Sequence, residues 1–326
     1  MTKKILYGLL AAVIFTGLII FFKKRETIEF SPIPIKRYEI SLMAIDTDRV
    51  AEEMSRLFET YALFSYGWDV NDRIWQQQIL NFVTCPRSKD LLEQVLEKYP
   101  DLHWLERKLG ESFARYNRLF ERDIIPTIYT YISHLDYDNR VIFLDTALVI
   151  GLDMYLGPDN EHYNAIALQM FKRARLDKQF IPADAMRAVA HYELEHFPQR
   201  LVNLLDHMIL HGKVIYFLSQ VLPKVDMATR LGYTPEQMAW VRRNEKKVWA
   251  YIVGEKLLYE QNIMRYRQLV LEVPSLQVFP GSPGRIGHYF GYQIVKRFMD
   301  NTDTTIPELF AETDSQKILR LSNFRP

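Results

Sequence analysis

DAMRAVAHYELEHFPQRLVNLLDHMILHGKVIYFLSQVLP, residues 184–223, predicts two helices meeting at Phe197-Pro198. From Leu201 to Leu222 the second is apolar on nearly every face, which marks a buried central helix. Four of the chain's eight histidines fall in this segment: His191, His196, His207 and His211. The carboxylates Glu193, Glu195 and Asp206 stand among them. Charge is expensive to bury unless it is paired or metal-bound, so this is where a function is sought first.

Spacing brings out two pairs. His191 and Glu195 are four residues apart and share a helix face with Ala188 and Asp184. His207 and His211 are also four apart, in line with Asn203. Imidazole and carboxylate at this interval are what a zinc site takes from one helix. The alternative is a solvated His191–Glu195 ion pair of little consequence and two histidines at the polar edge of the central helix. Glu193 falls on the stripe of Met186, Val189 and Phe197, so it is expected to be buried, with Arg285 or Lys213 as its cationic partner.

Outward from this segment, the length of 326 residues is ample for a sizeable core, and 48% hydrophobic with 25% charged residues is ordinary for a globular protein. A formal net charge of +1 gives no electrostatic case for nucleic-acid binding. The single cysteine, Cys85, cannot form a disulfide within the chain and reads as a small buried hydrophobe. Residues 5–22 carry no charge, lie between Lys3-Lys4 and Lys23-Lys24-Arg25, and approach the length of a spanning helix. No small-x-small cleavage site and no cysteine follow that run, so an uncleaved membrane anchor over 1–25 is expected. Residues 26–36, with Pro32 and Pro34, predict an extended linker, and 37–326 one mostly helical domain.

Within that domain, alternation at Tyr38, Ile40 and Leu42 predicts a strand. Helices are expected over about 49–63, 72–82, 89–99 and 104–120. Alternation over 128–133, the turn residues 136–139 and the apolar runs 141–144 and 147–156 predict a hairpin followed by a buried strand. Thr234-Pro235-Glu236-Gln237 is a capping box with proline at the first helical position, and Ser282-Pro283 opens a further helix by the same logic. Gly287 and Gly291, one turn apart, invite close approach of a neighbouring element. The fold class is therefore α+β, mostly helical, with a small antiparallel sheet before the central helices.

Several blocks occur in one order across residues 140–298: Gly151-Leu-Asp-Met-Tyr-Leu-Gly157 with Tyr163; Met208-Ile209 with Gly212-Lys213; Gly232-Tyr233-Thr234-Pro235-Glu236-Gln237 with Trp240; and Ser282-Pro283-Gly284-Arg285-Ile286-Gly287 with Gly291. In these the chain resembles the gliding-motility lipoprotein GldB family of Bacteroidetes. That family is similar in turn to predicted gluzincin-type zinc peptidases, which carry H-E-x-x-H on one helix and Glu-Gly on the next. The resemblance implies a zincin-like fold in which His191 keeps the first ligand position, Tyr192 replaces the general-base glutamate, Glu195 replaces the second histidine and His211-Gly212 replaces Glu-Gly. A phenol with an unperturbed pKa of about 10 cannot take a proton from zinc-bound water near neutral pH. The expectation is a pseudoenzyme without cofactor. Any metal would fall to His191, Glu195 and His211. The candidate cleft comprises His191, Tyr192, Glu193, Glu195, His207, His211, Lys213 and Arg285. The resemblance also implies a periplasmic bulk and a partner in the cell envelope or motility machinery. The alternative is a zinc-dependent metallohydrolase with altered ligands, with Glu193 or Glu195 as base.

Overall fold

The computed structural model describes residues 28–326 apart from Tyr66. The expected anchor over 1–25 lies outside the described residues. Among those described, no helix is long and apolar enough to cross a membrane. Residues Ser31–Pro326 form one compact unit. It is α+β: helices surround a four-stranded sheet made of β1 (Ile35–Arg37), β2 (Thr127–Tyr131), β3 (Val141–Leu144) and β4 (Ala147–Gly151), in the order β1-β2-β4-β3.

The sheet is mixed, a correction to the antiparallel one expected. β1 and β4 both pair with β2 in parallel, and only β3–β4 is antiparallel. The expected hairpin of 128–133 with 141–144 about the turn 136–139 does not form: β3 pairs instead with β4, and the parallel pairs join strands far apart in the chain, which no local signal encodes. The stretch expected as a linker is extended yet docked, since Ile33 N donates to Glu106 O and Ile35 N, at the start of β1, to Glu106 Oε1. Tyr38 to Leu42 is not a strand. It lies in α1 (Tyr38–Met43), where Tyr38 and Leu42, four apart, are buried and Ile40 faces out. Five residues are too few to separate period two from one helix face.

Helices α2 (Val50–Thr60), α3 (Arg73–Thr84), α4 (Pro86–Lys98) and α5 (His103–Phe120) follow. Half-buried Cys85 sits at the junction of α3 and α4. Alternate β4 residues serve two cores. Ala147 and Val149 pack with Tyr129 against Tyr38, Met54, Leu57 and Ile79, whereas Leu148 and Ile150 join the main core. Burial on both faces is why β4 reads as an unbroken apolar run. The strand stops at Gly151, five residues short of the expected end. Beyond it Asp153, buried completely, accepts from Ser133 N, Ser133 Oγ and Leu135 N, tying the β2 exit to the β4 exit.

Short helices α6 (His162–Ala165) and α7 (Met170–Arg173) lead to the expected pair, α8 (Ile181–Glu195) and α9 (Leu204–Val221). The break between them spans eight residues, 196–203, rather than the Phe-Pro step alone. Asn203 starts α9 through a capping box with Asp206, which accounts for that buried carboxylate. Then come α10 (Met227–Leu231), α11 (Pro235–Gly254), with the expected Thr234–Gln237 box, α12 (Ile263–Val270), α13 (Ile286–Asn301), α14 (Ile306–Ala311) and α15 (Ser315–Ser322). α13 begins three residues after Pro283, because Arg285 takes a left-handed φ of 57° that no helix interior accommodates. α9 and α13 cross backbone to backbone. A Cβ on Gly291 would lie 1.7 Å from Met208 O, and one on Gly212 2.3 Å from Gly291 O.

Candidate functional site

The predicted site residues lie in separate surroundings. His191 on α8 and His211 on α9 come together, ring centroids 6.5 Å apart. His288 of α13, which the sequence reading missed, stacks on His211 at 3.7 Å. Its only local signal is a histidine beside a glycine in an otherwise apolar helix. Burial, then Arg187, pushes the His191 imidazole down to about 4. Burial, then His191 and Arg187, pushes His211 down to about 3. His288 is held well below its ordinary value, again by burial first, and its Nε2 lies 3.0 Å from Val270 O. All three rings are therefore neutral at neutral pH.

The carboxylates do not join them. Glu193 is 1% exposed, as expected, but its partner is neither Arg285 nor Lys213. Its Oε1 accepts from Arg122 Nη1 at 2.6 Å and Tyr116 OH at 2.5 Å, both supplied by the α5 end of the molecule. A pairing across 71 residues could not be read from spacing along α8. Glu195 is exposed in the last turn of α8. Lys213 Nζ instead donates to Phe310 O and Glu312 O, closing the end of α14. The Tyr192 ring packs edge-on against Phe143 of β3, and the His207 ring tilts against Tyr266. Among the described residues no group of three or more His, Cys, Asp or Glu is arranged to hold a metal ion.

What does surround the histidines is arginine. Asp184, one turn before Ala188, accepts from Arg140 Nε and Tyr155 OH through Oδ2, and Arg187 Nε stands 3.7 Å from its Oδ1. Burial pushes this carboxyl up, but Arg140, Arg175 and Arg187 outweigh it and hold it well below the usual carboxylate range. Glu272 takes Arg175 at 3.1 Å, Arg285 at 3.7 Å and the Tyr137 hydroxyl. Four guanidiniums thus face two carboxylates. Arg140, Arg175 and Arg187 escaped the sequence reading because they come from three different segments. Arg187, one turn before His191, carries the only spacing signal.

Two cavities larger than any at the histidines' arginine cluster lie elsewhere among the described residues. One of about 390 Å³ is lined by Phe298, Thr302, Glu308 and Lys317, and one of about 310 Å³ by Asp226, Met227, Tyr233 and Arg242. A small cavity of about 20 Å³ does reach the arginine cluster, at Gly232, Glu272, Gly284 and Arg285.

The blocks quoted above fall at these structural points. Asp153 and Tyr155 of the first brace the sheet exit and Asp184, Gly212 forms the helix crossing, Gly232 borders the arginines, and Arg285 and Gly291 start and seat α13. No curated protein and no solved structure matches the chain. The family model described as gliding motility protein GldB matches residues 23–326, which covers nearly the whole length. The chain therefore belongs to the GldB family of gliding motility proteins.

Proposed function

We propose that this protein is a membrane-anchored, non-catalytic component of the cell envelope that serves surface motility by binding a partner protein. The family match supports the motility role. The observation that carries the non-catalytic reading is the commitment of Glu193. The one buried carboxylate in the last turn of α8 is engaged by Arg122 and Tyr116, and Tyr192 occupies the place where proton abstraction needs a carboxylate. In this reading the zincin-like scaffold is inherited and its chemistry lost, and the bulk of the chain lies in the periplasm.

A contact surface is available beside the His207 end of α9. Leu204 N donates to Glu260 O, and the exposed apolar side chains Leu201, Val202, Tyr259, Ile263 and Met264 lie in the two segments this bond joins. Clustered exposed apolar groups are characteristic of protein–protein contacts. The test is zinc content by atomic emission and peptide cleavage by the purified protein, with and without chelator. No chelator-sensitive cleavage is expected. Stoichiometric zinc and cleavage, both lost in His191→Ala and His211→Ala, would replace this reading with that of a zinc hydrolase with altered ligands.

A further inference from the structure

The arginine cluster has donors to spare. Arg175 is 8% exposed, and its Nε finds no acceptor among the described residues; nor does the buried Nε of Arg187. Most of the carboxylate acceptors present are already used. Asp184 Oδ2 takes Arg140 and Tyr155, and Glu272 Oε2 takes Tyr137. Guanidinium does not deprotonate near neutral pH, so the excess of two positive charges cannot be relieved as a lysine or histidine would relieve it. Burial and the charge of Arg175 together destabilise the Arg285 cation. Such an arrangement is expensive unless a negative group completes it.

The geometry gives that group a place. Gly232 has a φ of 71°, its O accepts a long bond of 3.4 Å from Arg285 Nη2, and a methyl added to it would stand 3.4 Å from Arg285 Nη2 and from Arg175 Cδ and 3.6 Å from Arg175 Nη1. Two guanidiniums thus flank the bare face of one glycine. The adjoining cavity of about 20 Å³ accepts one water-sized group. Its rim includes half-buried Phe171 and Gln237, so it meets solvent. Arg285 reaches the spot from a left-handed backbone that is costly for any residue but glycine.

We propose that Arg175 and Arg285, backed by the charge of Arg187, form a binding site for a single oxyanionic group, a carboxylate or a phosphate, which enters beside Gly232. The site recognises a charged tip rather than a whole molecule, since the cavity holds little more. Free anions and the carboxyl terminus of a peptide share this chemistry. The site goes beyond partner binding at the apolar surface.

The experiment is a thermal-shift titration of the full chain in nonionic detergent, at constant ionic strength with chloride as reference. The probes are inorganic phosphate, acetate, and a short neutral peptide with a free or an amidated C-terminus. Saturable stabilisation by at least one oxyanion is expected, of about 5 °C at one hundred times its Kd. Arg285→Gln should weaken that affinity at least tenfold, as loss of a charge-assisted contact does. Response to phosphate alone identifies a phosphate ligand. Response to the free but not the amidated peptide identifies a carboxyl terminus. A second readout uses only the unaltered chain. Saturating probe at neutral pH should slow hydrogen exchange of the backbone amides at Gly232 and Gly284, which line the cavity. No saturable response, an undiminished response in Arg285→Gln, or unchanged exchange at those amides each overturn the proposal. None of these outcomes bears on the zinc and cleavage test above, so the two readings fail separately.

Discussion

Gly291→Ala tests whether the crossing of α9 and α13 holds the core together. The added methyl would begin 1.7 Å from Met208 O, whereas a methyl carbon essentially never comes within 3.0 Å of such an atom, so the helices must part by at least 1.3 Å. The obstacle is backbone, which cannot rotate away as a side chain would. Parting α9 from α13 loosens fully buried Met208, Ile215, Phe290 and Ile294 together. Overpacking a well-filled core typically costs about 1–3 kcal/mol, and a backbone clash belongs at the upper end or above, so about 4 kcal/mol is expected. That is a large share of the roughly 5–15 kcal/mol that holds a domain folded. At about 2–4 °C per kcal/mol, the melting temperature should fall by roughly 10 °C. The control is Gly254→Ala at the exposed end of α11, where nothing lies within 4 Å of the added carbon. There alanine is the better helix former, and a change of less than about 1 kcal/mol in either direction is expected. Circular dichroism melts of both variants decide the matter. A Gly291→Ala protein melting within about 2 °C of the parent would show that the crossing yields at little cost and that the reasoning is wrong.

Two further outcomes follow from the same structure. Arg122→Met strands the buried Glu193 carboxylate. Because Arg122 is 34% exposed, the loss should be about 2 kcal/mol, below the roughly 3–5 kcal/mol typical of a fully buried pair, and adding Glu193→Leu should restore most of it in urea unfolding. His191 and His211 have folded-state values near 4 and 3, below the unfolded value of about 6.5. Between those limits the unfolded chain binds more protons, so stability should drop as pH falls from about 6.5 towards 3. The urea midpoint of His211→Gln should fall less steeply over that range, and an equal slope would refute the assignment.

What could be read without coordinates was local. The two central helices, the capping box at Thr234 and the glycines of α13 each carry their signal within a few residues, because hydrogen-bonding caps and hydrophobic periods act over one or two turns. The burial of Glu193 was legible for the same reason, since it lies on the apolar stripe of its own helix. Its partner was not. Arg122 lies at the far end of α5, and only the folded chain brings it to 2.6 Å. Parallel pairing of β1, β2 and β4 escaped likewise, as did the meeting of Arg140, Arg175, Arg187 and Arg285 around two carboxylates. Charge acts through space and not along the chain, so a cluster drawn from four segments leaves no period or motif. Sequence alone therefore determined most of the longer helices, the family likeness and the residue types at stake. Tertiary structure decided which of those residues face one another, because that depends on how the helices pack around the sheet.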